Sequence, residues 1–450
     1  MRPPKPISRP DKVSLWRYLK LFRKDLLSAQ PERLYRAWMA EFKTPFFRSY
    51  LINQPELIDL VLKERPMDFP KSNRIAEGLR PLLGQSVFLT NGEHWKKQRR
   101  IIDPAFEGGR LRDSFAAMSG ATIAAVARMP VGKHVELEEQ CSHAAADVIF
   151  RTLFSIPIEN EVATEVFQLF KEHQRSQPII NLAAFVPSPR WMPRFHPKKS
   201  KTTAAQIRAL ITRLVEERHR EIDMGSAPQD LATKIMTTPD PQTGELFSKD
   251  EMVDQVAIFF LAGHETSASA LAWSLYLLAA NPEWQSKVAE EAIEQDLTDF
   301  SAVSKLKTAR DVFREALRLY PPVPMMVREA SQPECFRDRD VPPGAQIVIS
   351  PWHLHRHSRQ WDNPDDFDPN RWNTDNGKEC MRNAYIPFST GKRVCPGAGF
   401  AMIEGPLMLA KLTVDYEFKA LPAEVPEPVA HLTVRAKSGI FVEVSKRTDR

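Results

Sequence analysis

The chain has 450 residues, 42% of them hydrophobic and 26% charged, the balance of a globular protein with a large core. Its 62 basic and 57 acidic residues leave a net charge of +5, too mild a surplus to suggest nucleic acid as a partner. The four cysteines, Cys141, Cys335, Cys380 and Cys395, show no paired spacing, which argues against a disulfide framework or a zinc site and favours a reducing compartment.

Met1 to Lys12 is rich in proline and basic residues and is expected to be a mobile arm. It lacks the apolar centre of a signal peptide, and no run of ~20 apolar residues follows it, so no membrane anchor is expected. From Ser14 to Leu27, Leu15, Tyr18, Leu19, Phe22 and Leu26 recur at helical spacing between Lys and Arg. This predicts a short amphipathic helix packed on the body rather than on a membrane. Pro31 opens a second helix, Phe46 to Ile52 reads as strand, and Pro55 to Lys63 as helix. The Pro, Gly and Asn content from Pro66 to Gly92 marks a long loop region. Glu93 to Ile102 reads as helix and sets Trp95 and Arg99 one turn apart on one face. Ala121 to Leu153 and Glu159 to His173 are further helices. Pro178 to Pro197 joins many prolines to Phe185, Trp191 and Phe195, more large apolar groups than a solvent loop carries. A basic helix, Ser200 to Asp223, follows.

Ser248 to Ala280 is the longest helical pattern, opened by a Ser248/Glu251 capping box and ended by Asn281-Pro282. At 1.5 Å per residue it spans roughly 48 Å, enough to cross a whole domain. Its interior is apolar nearly all round except for His264, Glu265 and a few hydroxyls. An ionisable pair at the centre of a lone mid-chain span argues against a transmembrane helix and for a central buried one. Thr308 to Tyr320 is the next helix, stopped by Pro321-Pro322, with Glu315 and Arg318 at i, i+3. On a surface such a pair is worth only ~0.2–0.5 kcal/mol. Val323 to Val327 is extended and apolar, Arg328 follows, and Val341 to Ser350 reads as turn and strand. His353, His355 and His357 alternate, a spacing that could hold a metal on a strand. From Ala420 onward the pattern suggests short strands, and there is no internal repeat.

Phe388-Ser-Thr-Gly-Lys-Arg-Val-Cys-Pro-Gly397 sets one cysteine in a glycine-flanked loop leading into a helix. The first amides of a helix favour an anion, and with Arg393 nearby they predict a thiolate at Cys395, the metal-binding form. Gly391 and Gly397 let the backbone approach a flat object closely. A thiolate facing a planar ligand suggests an axial haem ligand.

Phe388, Gly391, Arg393, Cys395 and Gly397 fill every fixed place of the pattern Phe-x-x-Gly-x-Arg-x-Cys-x-Gly, which resembles the haem-binding signature of the cytochrome P-450 family. Three more stretches resemble family motifs in the family's order. Ala262-Gly263-His264-Glu265-Thr266 is similar to the oxygen-activation motif, with Gly263 leaving room above the cofactor and Glu265 and Thr266 as a proton-relaying carboxylate and hydroxyl. Glu315 and Arg318 resemble the Glu-x-x-Arg motif, which implies a buried structural network with Arg371. Trp95 and Arg99 resemble the pair that reaches a haem propionate, and Arg328 and Arg393 are implied around the same propionates. His355-Arg356 before Trp361 and Pro364 also resembles a family stretch, which weighs against a metal at the histidines.

The resemblance implies a mainly α fold with a smaller β-rich part, residues 13–450 forming one domain with haem between the long helix and the cysteine loop. It implies a soluble, cytoplasmic member with no fused reductase, and a monomer is expected. The cofactor would be heme b (iron protoporphyrin IX) with dioxygen as co-substrate. Electrons would come from NAD(P)H through a ferredoxin and a reductase, steered by Lys96, Lys97, Arg100, Lys392, Arg110 and Arg112. The reaction implied is monooxygenation of a hydrophobic small molecule. Leu261, Ala262, Met325, Met326 and Val327 are expected to form the pocket wall, and Pro178 to Pro197 the lid. A peroxygenase or rearrangement enzyme, or a haem-based binding or sensing protein, would share the cysteine loop.

Overall fold

The computed structural model describes residues 2–43, 48–107, 109–176, 198–430 and 432–448. The aromatic segment expected as a lid therefore lies outside the described residues. The organising element is the helix Lys249–Ala279, 31 residues long. Ser248 Oγ accepts from Glu251 N at 3.2 Å, and Glu251 Oε2 accepts from Ser248 N at 2.9 Å. The capping box thus forms as the sequence predicts. Trp273, Leu275 and Leu278 in its second half are fully buried, and Trp273 stacks on Tyr320 at 3.9 Å. The other large helices, among them Leu137–Phe154, Lys198–Asp223, Lys307–Leu319 and Ala398–Asp415, pack around it in one core.

A four-stranded sheet stands beside this helical body. Met39–Lys43 pairs antiparallel with Arg48–Ile52, which runs parallel to Gln346–Ile349, and Met326–Glu329 closes the order antiparallel. The sheet covers a smaller apolar core built on Tyr50, Ile52, Ile347 and Ile349. It delivers residues 323–328 to the edge of the helical body.

Three expectations need correction. The loop region 66–92 contains the helix Asn73–Leu83 despite Pro81 inside it, because Ala76, Leu82 and Leu83 bury against the helical body. The single helix expected from Ala121 to Leu153 is two, Phe115–Arg128 and Leu137–Phe154. Pro130 and Gly132 divide them and open the strand Gly132–Glu136. The N-terminal arm is docked rather than mobile: Tyr320 Oη donates to Pro4 O at 2.8 Å, Lys5 Nζ reaches Asp365 at 3.1 Å, and Arg9 Nε donates to Ala29 O at 2.6 Å. Its prolines offer no amide donors that would need water, and its cations find a carboxylate and a carbonyl. No helix among the described residues is long and apolar enough to cross a membrane.

Candidate active site

The loop carrying Cys395 is folded tightly before it reaches the helix. Ser389 and Gly391 take φ of +63° and +69°, Cys395 N donates to Phe388 O at 2.9 Å, and Val394 N donates to Gly391 O at 3.0 Å. A Cβ at Gly391 would stand 2.2 Å from Leu62 O, so this glycine answers to packing against the chain at Leu62. At Gly397 a Cβ would meet only the Cys395 Sγ, at 3.8 Å, and otherwise open space. The helix Ala398–Asp415 starts directly after it. Cys395 Sγ borders a cavity of about 1100 Å³. Burial pushes the thiol up, against the downward pull of the Gly397 amide and Arg99. The cation expected to act on the sulfur, Arg393, instead donates to Phe69 O at 2.9 Å and lies 5.3 Å from the Trp95 ring.

Four cations meet on one wall of the cavity. Arg99 Nη1 donates to Val394 O at 2.7 Å, tying its helix to the cysteine loop, and its Nε pairs with Asp103 at 2.6 Å. Arg328 and Arg393 are each 8% exposed with an unpartnered buried Nε, and burial lowers both to about 10. Lys71, which sequence reasoning did not single out, gives Nζ to Val87 O at 2.5 Å and Thr90 O at 3.2 Å. Burial, with Arg393, Arg328 and Arg99 around it, pulls its ammonium well below the lysine range. Among the described residues Asp103 is the only carboxylate paired with any of the four.

The long helix passes the same cavity with Leu261, Ala262, Gly263, Glu265 and Thr266. Met325, Met326, Val327 and Phe388 also line it, whereas Gly391 does not. A Cβ at Gly263 would come within 2.2 Å of Ile149 Cδ1, so the small residue serves the crossing with the helix Leu137–Phe154, not only space in the cavity. Thr266 Oγ1 donates to Ala262 O at 2.6 Å. Glu265 turns elsewhere: its Oε1 accepts from Thr433 Oγ1 at 2.7 Å and from Arg435 Nη2 at 3.2 Å. His264 is fully enclosed, bonds Ser142 Oγ at 2.7 Å, and stays neutral because burial lowers it to about 3.

Two further groups were out of reach of the sequence. Glu404, on the helix after the cysteine loop, is 3% exposed and borders the cavity. Burial raises it to about 7. Thr433 and Arg435 come from the C-terminal hairpin, where no spacing rule pointed to them.

Glu315, Arg318 and Arg371 form the expected buried network. Arg318 grips Glu315 with Nε at 2.9 Å and Nη2 at 2.8 Å, and Arg371 Nε reaches Glu315 Oε1 at 3.3 Å. The remaining guanidinium donors go to carbonyls, among them His355 O, Pro364 O and Asp366 O. The three histidines do not converge. They sit on the helical turn Pro351–Leu354 and just after it, where alternation does not make one face. His353 bonds Ser350 Oγ at 2.8 Å, His355 Nε2 accepts from Ile386 N at 2.9 Å, and His357 stacks on Trp38 at 4.4 Å.

A helical body with a small sheet thus carries a thiol at the head of a helix, facing a cavity walled by cations. The family model for cytochrome P-450 matches residues 33–444, and the chain belongs to that family. It is 31% identical to cyclooctat-9-en-7-ol 5-monooxygenase of Streptomyces melanosporofaciens, over 83% of this chain and 81% of the relative. It is 29% identical to a cytokinin hydroxylase of Arabidopsis thaliana, over 86% of this chain and 77% of the relative. A crystal structure of a mutant cytochrome P-450DA heme domain shares the fold, with a TM-score of 0.81 at 22% identity, covering 99% of this chain and 98% of that one. The chain is an oxidoreductase that incorporates oxygen.

Proposed function

We propose that the chain is a monooxygenase that inserts one atom of dioxygen into a hydrophobic small molecule, with Cys395 as the axial ligand of heme b. The observation that carries this is the wall where Lys71, Arg99, Arg328 and Arg393 meet with one carboxylate among them. Buried cations call for anionic partners, and the two propionates of a haem suit them. The open space beside Gly397 and the cavity-facing thiol suit the same group. When bound, haem supplies dioxygen binding and activation, and a thiolate ligand favours O–O cleavage.

The chain's own residues orient, exclude water and handle protons. Leu261, Ala262, Met325, Met326 and Val327 present an apolar wall to the substrate, and the adjacent methionines adapt to varied shapes. Thr266 Oγ1 keeps a proton on Ala262 O at 2.6 Å and retains lone pairs toward the cavity. Glu265 serves as the acid that exchanges protons with that hydroxyl, through water where the contact exceeds roughly 3.2 Å. Glu315, Arg318 and Arg371 keep the shape of the cysteine side. Electrons arrive from NAD(P)H through a separate ferredoxin and reductase, and the chain acts as a cytoplasmic monomer.

The test is spectroscopic. Purified protein should hold one non-covalent haem and, reduced under carbon monoxide, give the long-wavelength Soret band of thiolate ligation. Cys395→His should lose that band. Surrogate redox proteins with dioxygen should give product. Product from peroxide alone, with none from reductant and dioxygen, would make the chain a peroxygenase instead.

A further inference from the structure

Glu265 is held from outside its own helix. Both donors to its Oε1, Thr433 Oγ1 at 2.7 Å and Arg435 Nη2 at 3.2 Å, come from the hairpin of Pro428–Ala430 and Val434–Ala436. The hairpin is fixed in turn: Ser269 Oγ donates to Val434 O at 2.5 Å, and Val434 N donates to Pro322 O at 3.0 Å. Arg435 Nη2 also donates to Gln174 Oε1 at 3.1 Å, at the end of the helix Glu161–Ser176. The second carboxylate oxygen, Oε2, takes no hydrogen bond from any described residue. The acid's side chain is 7% exposed while that of its cation is 37% exposed, so the ion pair runs from the buried helix toward solvent.

A buried carboxylate stripped of its cation is left uncompensated and takes up a proton or turns away. With two donors on one oxygen, the rotamer of Glu265 is fixed, which frees the other oxygen for exchange. The further charged groups around this pair are Glu138 from the helix Leu137–Phe154, which accepts from Ala436 N at 2.9 Å, and Lys171 from the helix Glu161–Ser176. His264 beside it is neutral.

We propose that Thr433 and Arg435 are positioning residues for the reaction: they anchor Glu265 Oε1 and leave Oε2 as the oxygen that exchanges protons with the cavity. Each cycle of exchange moves one proton from solvent water onto Oε2 and onward toward Thr266, and the carboxylate is regenerated. Arginine does not titrate in this range and acts only by holding the charge in place. The inference rests on Glu265 being the acid of the reaction.

The experiment compares holoenzyme variants Arg435→Leu, Arg435→Lys and Thr433→Val with Glu265→Gln. Haem content and substrate binding should match wild type in the hairpin variants. In Arg435→Leu product formation should fall roughly tenfold, a share of what a positioned acid contributes, and the solvent deuterium isotope effect should grow. Arg435→Lys should recover to within about threefold of wild type, and Thr433→Val should slow by about threefold, the worth of one hydrogen bond. An infrared band of a protonated carboxyl should appear in Arg435→Leu near neutral pH and vanish when Glu265→Gln is added. If Glu265→Gln slows turnover while Arg435→Leu and Thr433→Val both keep wild-type rate, isotope effect and spectrum, the positioning role is overturned and the acid stands. If Glu265→Gln itself changes nothing, the acid reading falls first and takes this one with it. Should Arg435→Leu fail to fold, Thr433→Val and Arg435→Lys decide by the same readouts.

Discussion

The Ser267 hydroxyl donates to Glu404 Oε2 at 2.9 Å, joining the long helix to the helix that begins at the cysteine loop. The other oxygen of Glu404 is buried without a partner.

This pair makes a pH prediction. Burial raises Glu404 to about 7 in the folded chain, above its ordinary value, so its contribution to stability is complete at low pH. That contribution is lost as pH rises from the ordinary carboxyl range through about 7. Glu404→Gln keeps an acceptor for Ser267 and cannot ionise. Its unfolding free energy from urea melts should move ahead of wild type between about pH 5 and about pH 8, by up to about 3 kcal/mol. Parallel pH profiles for the two proteins would mean that Glu404 is not the titrating group.

Thr266→Ala should keep haem content and substrate binding. Dioxygen and reductant should still be consumed, with less product and more hydrogen peroxide for each reductant oxidised. The alternative is that the Oγ1 bond to Ala262 O at 2.6 Å is the whole role of Thr266. An unchanged product yield per reductant would decide for that alternative.

Arg371→Leu removes one cation from Glu315, which has no exposed surface. Breaking a buried pair of this kind costs about 3–5 kcal/mol, so the variant should unfold at lower urea and lose haem faster. Wild-type stability with intact haem retention would show that the network is dispensable.

The two loop glycines should behave differently. Gly391→Ala forces a Cβ onto Leu62 O at 2.2 Å and a positive φ, and should destabilise the chain even without haem, by about 1–3 kcal/mol or more. Gly397→Ala meets only the Cys395 Sγ at 3.8 Å, so the chain should fold normally and take up haem more weakly. Circular dichroism melts of the haem-free proteins beside haem titrations would reveal a reversed order.

Electron delivery can be located by charge. Lys97 pairs with Glu245 at 2.7 Å, Arg100 with Asp240 at 2.6 Å, and Lys96 with Glu93 at 2.7 Å, so much of the expected basic face is neutralised within the chain. Lys392, exposed in the cysteine loop, has no ion pair among the described residues. Lys392→Glu should therefore slow reduction by an acidic ferredoxin more than Lys97→Glu does, with the difference shrinking as salt rises. Equal effects, or none, would move the docking face elsewhere.

The cysteine loop, the capping box of the long helix and the Glu315/Arg318 pair were legible because each is a local pattern whose spacing alone puts the groups together. Trp95, Arg99, Arg328 and Arg393 were legible only through the family resemblance, and they do border one cavity. Lys71 and Arg435 were hidden because their partners are set by tertiary packing: Arg435 meets Glu265 across 170 positions. The second demand on Gly263 was hidden for the same cause, since Ile149 lies on another helix. The spacing of the three histidines left a metal site open because alternation has one meaning on a strand and another on a helical turn.

The docked arm has a consequence for biosynthesis. Pro4 leaves the ribosome well before Tyr320, whose hydroxyl it accepts and which lies 316 positions later. At roughly 5–20 residues per second, that contact waits about 16 to 60 seconds after the arm is made. The strand Arg48–Ile52 waits in the same way for Gln346–Ile349, its parallel neighbour. The nascent chain therefore carries an unpaired apolar strand edge until Gln346–Ile349 is made, and slower translation or a chaperone that shields that edge should raise the yield of folded protein.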